Sequence, residues 1–365
     1  MVEIFNLKIT SLEKTVETIL EPVYSKIRGR EILLKPNVLG AYPPEKAVTT
    51  HPELVRVLYR KLKEMGARPV VGDSPGGTVT DPYRAAEISG ILESCEGNFI
   101  NLTGDLLEVS LSKNPKIAKI WISRRYYESL FVINLPKMKT HSLTIITGAI
   151  KNLYGIIPGG LKLHLHSEAP SLEEFSSLLV DIYEIRPPNL NIMEAILAME
   201  GEGPAHRQPR EVGLILSSEN AVELDAITSH IMGIPPRRVP HIRIAHQRGL
   251  GEIEPAKIKV KGELVKIPSF KPPSAFRSFL EKTLNRYARI LVLTPLVNTE
   301  ICTKCSDCAT NCPRDAIKLS PYPVINRNLC ISCFACAETC PQGALSIPTI
   351  KEEFAHRLRR RIPRS

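Results

Sequence analysis

Through the first 255 residues, short solid apolar runs alternate with stretches in which apolar residues recur every three or four positions. Such runs read as buried strands and the spaced stretches as helices, the pattern of an α/β domain with a mostly parallel sheet flanked by helices. Arg30–Val38 (REILLKPNV) opens apolar and stops at Pro36-Asn37, a buried strand entering a loop. Pro52–Glu64 sets Leu54, Val55, Leu58 and Leu62 at helical spacing, with Pro52 suited to the first turn and Gly66 to the C-terminal stop. Arg68–Gly72 and Leu130–Leu135 (LFVINL) are further strands. Leu143–Ile150 (LTIITGAI) reads as an apolar helix capped by Thr140 or Ser142. Leu172–Tyr183 then reads as helix, Asn189–Met199 and Val212–Leu216 as strands, and Ala221–Met232 as a helix with Ser217 or Ser218 as N-cap and Gly233 as stop.

The loops that follow these strands hold the candidate chemistry, because open α/β sheets bind ligands beyond the carboxyl ends of their strands. After Arg68–Gly72 come Asp73-Ser74-Pro75-Gly76-Gly77, where Gly76 and Gly77 admit a ligand close to the backbone, although the same residues also make an ordinary turn. Leu130–Leu135 delivers Pro136-Lys137-Met138-Lys139-Thr140-His141-Ser142, two lysines beside an expected helix start that suits an anion. Lys151 and Asn152 follow, then His164 and His166, whose alternation on a strand or extended loop turns only one of them to a pocket. Lysines ordinarily lie on solvated faces. Here Lys35, Lys137, Lys139 and Lys151 adjoin buried strands or a helix start, and they are expected to hold a phosphate or carboxylate. Asn37, Asp73, Asn152 and Glu200 would orient that ligand, and His141 would donate a proton, helped by Lys137 and Lys139. No G-x-G-x-x-G stands in these loops, so the nicotinamide fingerprint is absent. Asp225 sits inside an expected helix, facing either the sheet edge or solvent.

The last part of the chain carries a different signal. Cys302-x-x-Cys305-x-x-Cys308-x-x-x-Cys312-Pro313 is repeated as Cys330-x-x-Cys333-x-x-Cys336-x-x-x-Cys340-Pro341. This is the bacterial ferredoxin run, in which three closely spaced thiolates wrap one 4Fe–4S cube and the fourth ligates the other cube. One cluster therefore takes Cys302, Cys305, Cys308 and Cys340, and the second takes Cys330, Cys333, Cys336 and Cys312. Structural zinc uses Cys-x-x-Cys pairs set farther apart, and disulfides suit small secreted domains, whereas no secretory n-region and h-region opens this chain.

Residues 1–255 thus form an α/β ligand-binding domain, 256–298 a connector, 299–348 a small α+β two-cluster ferredoxin-like domain, and 349–365 a basic tail. Within the connector, Lys257–Ile267 alternates like an exposed strand pair, and Pro268–Pro273 reads as a stiff linker. Phe276, Phe279, Leu280, Leu284, Tyr287, Ile290 and Leu291 then recur at helical spacing among basic residues. That helix suits docking on its own protein better than peripheral contact with an anionic membrane.

Composition narrows the partners. At 365 residues the chain has room for two or three domains, and its net charge of +10 is partly local to the tail. Aromatic residues make up 5% and no nucleic-acid motif is present, so nucleic acid is not expected as a partner. No run of about 18 apolar residues predicts a spanning helix. Cys95 lies outside the duplicated run, and thiolates kept for iron argue a reducing, cytoplasmic compartment. Abundant Ile, Lys, Arg, Glu and Pro with few Gln hint at a thermophile.

Lys35-Pro36-Asn37, Gly72-Asp73-Ser74-Pro75-Gly76, Pro136 to His141, Gly148 to Gly155, Glu200-Gly201-Glu202-Gly203-Pro204 and Gly249-Leu250-Gly251 together resemble the DUF362 family, in its iron–sulfur form with a C-terminal two-cluster ferredoxin domain. Glu194 stands where that family more often has Asp. The resemblance implies an iron–sulfur redox protein and supplies no substrate. Two cubes fused to a binding domain place a one-electron conduit permanently beside its ligand, replacing an encounter with a high effective concentration. The expected function is therefore electron transfer between a redox partner protein and a small anionic ligand, for which a flavin or deazaflavin is a candidate. A non-catalytic carrier or cluster-maturation protein, and a non-redox enzyme with structural clusters, are the competing classes. Oligomeric state is not readable.

Overall fold

The structure is a computed structural model. It describes residues 1–76, 81–111, 113–114, 116–169, 171–203, 205, 208–273, 294–310, 312, 314–330, 335–338 and 340–346, without the side chains of 160, 163, 164, 167, 335 and 338. Gly77, Cys333, the His164 side chain, the expected amphipathic helix over 276–291 and the basic tail lie outside the described residues.

Twelve strands make up the described α/β part: β1 (Val2–Asn6), β2 (Glu31–Pro36), β3 (Arg68–Asp73), β4 (Phe99–Asn101), β5 (Leu106–Ser110), β6 (Lys119–Ser123), β7 (Val132–Leu135), β8 (Lys137–His141), β9 (Ile145–Ile146), β10 (Leu190–Glu200), β11 (Gln208–Ser218) and β12 (Val260–Lys261). The central sheet runs β12-β1-β11-β10-β7-β2-β3-β4, with β8 continuing along β10 beyond β7 and β9 folding back on β8. Pairings among β10, β7, β2, β3 and β4 are parallel, while β11 is antiparallel to both β10 and β1. β5 and β6 form a separate antiparallel hairpin.

Both sheet faces are covered, which is why the parallel strands are apolar throughout rather than alternating. Leu33 and Val132 pack into the core that includes helices Leu172–Ile185, Ala221–Ile231 and Pro240–Gln247. Their neighbours Ile32, Leu34 and Ile133 pack on the other side, with helices Leu12–Leu20 and Pro52–Glu64. Successive side chains on a strand point to opposite faces, so adjacent residues serve different cores. Pro52–Glu64 has the bounds its pattern predicts, and Gly66 follows it at φ +78°, a left-handed position glycine adopts freely.

Several expectations are corrected. Leu143–Ile150 is not a helix. Lys137–His141 pairs instead with the long β10, Glu194 opposite Lys137 and Met199 opposite Lys139, and the chain then reverses through β9. Helix begins only at Gly148, whose φ of +68° breaks any helix entering from Leu143, and spans Gly148–Asn152. A tertiary pairing partner has overridden local periodicity. His164 and His166 lie on a helix, Gly159–Glu168, not an extended segment, because Leu161 and Leu165 repeat one turn apart on the same face. Asn220, not Ser217 or Ser218, caps Ala221–Ile231, since β11 runs through Ser218. Of the expected strand pair in 257–267 only Val260–Lys261 forms, parallel to β1.

In the C-terminal part, Leu296–Val297 pairs antiparallel with Leu345–Ser346, and Ile317–Leu319 with Pro323–Ile325. One-turn helices Asp307–Thr310 and Ala335–Glu338 complete it. Its core consists of Cys308, Cys336 and Cys340 with Ile317, Ala337, Ala344 and Leu345.

Candidate functional site

The central sheet opens where two prolines interrupt it. β2 and β7 pair as far as Pro36 opposite Leu135, and beyond Pro136 the chain follows β10 as β8. Proline cannot extend the ladder, so the two strands part. The gap is filled by the buried segment Ala47–Thr50. Thr50 Oγ1 accepts from the Asn37 N–H at 2.8 Å and donates to the Leu135 carbonyl at 2.6 Å, bridging the parted strands. Lys139 Nζ donates to the Val48 carbonyl at 2.7 Å, and the His51 N–H donates to Glu194 Oε2 at 2.9 Å.

Buried ion pairs line this opening. Lys35 Nζ donates to Asp73 Oδ1 at 2.8 Å, and Asp73 also accepts from the Val38 and Ser74 N–H groups. Burial pushes the Lys35 ammonium down and the Asp73 carboxyl up, each held back by the other's charge. Lys137 pairs with Glu194, whose second oxygen accepts from the N–H groups of Ile196 and Leu197. Desolvation lowers Lys137, and the charge of Glu194 opposes it. Gly155 packs against the first pair so closely that a Cβ there would stand 2.3 Å from Asp73 Oδ1.

An asparagine relay crosses the sheet beside them. Asn37 Nδ2 donates to Asn152 Oδ1, Asn152 to Asn134, Asn134 to Asn191, and Asn191 to the Ser218 carbonyl. Of the residues expected to bind a ligand, Lys35, Asn37, Asp73 and Asn152 are thus brought together, with Gly76 tied to the Leu39 carbonyl at 2.8 Å. Lys137 and Lys139 line the neighbouring strand. His141 Nδ1 accepts from the N–H groups of Leu143 and Thr144, which puts the ring proton on Nε2. Lys151 is half-buried on the short helix. Glu200 is engaged elsewhere: it accepts from Arg210 and the Lys271 N–H, anchoring the start of the connector. His166 stacks on Phe175, with ring centroids 4.3 Å apart.

Lys162 and His241 escaped the pattern reading, and Asp225, left open between sheet edge and solvent, turns inward. Lys162 donates to the carbonyls of Ser74 and Pro75 at 2.7 and 2.8 Å, and burial, with Lys35 and Lys151 nearby, lowers it to about 7. Asp225 is fully buried and accepts from the Ala149 and Ile150 N–H groups, capping the short helix from across the fold. Desolvation raises it to about 7 against those two bonds. His241 is fully buried on Pro240–Gln247. A lone polar residue inside an apolar run, as in LFVINL, NIMEAIL and AVELDAI, was the available signal for Asn134, Glu194 and Asp225.

Lys162 and Asp225 give opposite pH dependences. The unfolded chain binds the Lys162 proton between about 7 and the ordinary 10.5, so stability rises with pH across that window. The folded chain keeps the Asp225 proton between the ordinary 3.8 and about 7, so stability falls as pH rises there. Urea midpoints measured against pH should lose their alkaline rise in Lys162→Met and their acid-side fall in Asp225→Asn. Unchanged slopes in both variants would contradict these assignments.

The cysteines form a separate site. A small pocket is lined by Cys302, Cys305 and Cys308 of the first run and Cys340 of the second, with Lys304, Leu319, Pro323 and Leu345. Lys304 and Ser306 adopt φ of +60° and +73° on either side of Cys305, which bends the loop around the pocket. The two fourth cysteines are used alike. Cys312 Sγ accepts from the Ala316 N–H at 3.2 Å and Cys340 Sγ from the Ala344 N–H at 3.1 Å. Four thiols from both halves around one void fit a 4Fe–4S cube. Cys302, Cys305, Cys308 and Cys340 would hold one cube, which would leave Cys312, Cys330 and Cys336 for the second.

A family model described as a domain of unknown function, DUF362, matches residues 32–230. The chain belongs to the DUF362 family. A 4Fe–4S dicluster domain matches residues 301–344, so this DUF362 chain carries two 4Fe–4S clusters and has an iron–sulfur electron-transfer role. The thylakoid-associated protein sll1697 of Synechocystis sp. is 32% identical over 245 residues, which cover 66% of this chain and 76% of that protein. Among solved structures, the lactate racemase apoprotein of Thermoanaerobacterium thermosaccharolyticum matches with a TM-score of 0.42 and 13% identity, over 64% of this chain and 57% of its own. Among the described residues, no helix is long and apolar enough to cross a membrane.

Proposed function

We propose that this DUF362 protein is a cytoplasmic iron–sulfur oxidoreductase that passes electrons between a redox partner protein and a small anionic ligand in the crevice beside β2, β3 and β8. The observation that carries the reading is the pocket lined by Cys302, Cys305, Cys308 and Cys340, fused to a domain with a buried polar crevice. When bound, the clusters supply and accept single electrons. Lys35 and Lys137, already balanced by Asp73 and Glu194, hold the crevice walls in place. Lys139 and Lys151 meet the ligand's negative charge. Asn152 orients Asn37. The Asn37 Oδ1 is buried without a hydrogen-bond partner and accepts from the ligand. His141 offers the proton on Nε2 as the ligand is reduced. A flavin or deazaflavin meets these requirements.

The test is anaerobic purification, iron counting and mass spectrometry of co-purifying small molecules. About eight irons per chain, a retained anionic compound, and dithionite-reduced clusters that are reoxidised by that compound are expected. Asn37→Ala and Lys151→Met should slow the exchange while leaving the iron count unchanged. Clusters that reduce normally while the α/β domain retains no compound would instead mark a carrier.

A further inference from the structure

We infer that His241, Lys151 and His141 bound an interior site for one small anion of the carboxylate or phosphate type, and that His241 takes up a proton as the anion enters. The inference rests on reading the α/β domain as ligand-binding, and it names the group of that ligand which is buried deepest. His241 is 0% exposed, and neither Nδ1 nor Nε2 has a hydrogen-bond partner. A buried polar group left unpaired costs about 1–3 kcal/mol, so an apolar side chain of similar size would serve the core better. Two nearby elements add hydroxyls in the same condition: Thr228 Oγ1 on Ala221–Ile231 and Thr147 Oγ1 just before Gly148–Asn152.

The charges acting on His241 are those of Lys151, on the short helix, and His141, at the end of β8. Burial foremost, and then these two charges, disfavours an imidazolium and holds the ring neutral, down to about 3. The carboxylates of the helices packed around it are turned to other partners. Asp225 accepts from Ala149 and Ile150, Asp181 from Arg248 and Asn114, Glu173 pairs with Arg243, and Glu184 with Arg248. An anion entering past the half-buried Lys151 reverses the local field, because an opposite charge close by favours the protonated ring. Binding and proton uptake are then linked.

Sulfate and acetate are suitable probes, since neither exchanges a proton of its own near neutral pH. Calorimetric titration of the full chain in two buffers of different ionisation heat should show uptake of about one proton per anion bound. His241→Phe should abolish the uptake and weaken binding at least about tenfold, with the iron count and urea midpoint maintained. Lys151→Met should weaken binding as well. Should His241→Phe fail to fold, ring-nitrogen NMR of the labelled parent decides: its His241 signals should move from neutral to imidazolium on adding either probe. No saturable binding of either probe, unchanged proton uptake in His241→Phe, or unmoved ring signals would overturn the site. Clusters that exchange no electrons with a bound compound would defeat the oxidoreductase reading but leave this binding measurement intact. Loss of anion binding, conversely, leaves reduction of the clusters by dithionite unaltered.

Discussion

Cys340→Ala should disable the cluster held by Cys302, Cys305 and Cys308, although it stands in the other half of the duplicated segment. The pocket lined by these four residues places them around one void. A cube that loses one thiolate sheds iron or falls apart, so Cys340→Ala and Cys302→Ala should abolish the same one of the two reduced-cluster EPR signals. Cys312→Ala should abolish the other. The iron count should fall below about eight in every case. The buried positions of Cys308 and Cys340 in a small core mean that losing the cluster also loosens the domain, which should become protease-sensitive. If Cys340→Ala instead shares its lost signal with Cys330→Ala, the crossed arrangement of ligands is wrong.

Lys137→Met should destabilise the α/β domain by about 3–5 kcal/mol, because removing one member of a buried ion pair leaves the other charge stranded. Glu194 loses the ammonium but stays enclosed, with only the N–H groups of His51, Ile196 and Leu197 left to hold its charge. The double variant Lys137→Met/Glu194→Gln removes the stranded charge and should recover a large part of the loss. Urea unfolding followed by far-ultraviolet circular dichroism measures both. A single variant within about 1 kcal/mol of the parent would show that Glu194 is neutral or reached by water. The same logic applies to Lys35 and Asp73, where three donors converge on one carboxylate.

These ion pairs also explain why the family motifs sit where they do. Lys35-Pro36-Asn37 and Pro136-Lys137 each place a proline at the point where a strand leaves its neighbour, and a lysine beside it to pair within the opening. Gly155 is required because any side chain would strike the Lys35–Asp73 pair. Gly203 is required for a similar reason: its Cβ would lie 2.1 Å from the Thr140 carbonyl oxygen.

By itself, the sequence determined the alternation of strands and helices, the bounds of Pro52–Glu64 and a two-cluster ferredoxin segment following the DUF362 region. Each depends on local signals: apolar period, proline and glycine punctuation, and ligand spacing that one short loop must satisfy. Only the tertiary structure decided that Lys137–His141 is a strand, because β10 is long enough to pair with it. Only the tertiary structure decided, too, which polar residues face one another. Asp225 meets a helix start more than seventy residues away, His51 meets Glu194 across the parted strands, and Lys162 reaches the loop after β3. Periodicity reports whether a position is buried. The partner of a buried charge is set by how distant segments stack, and a single chain written in order carries no local trace of that.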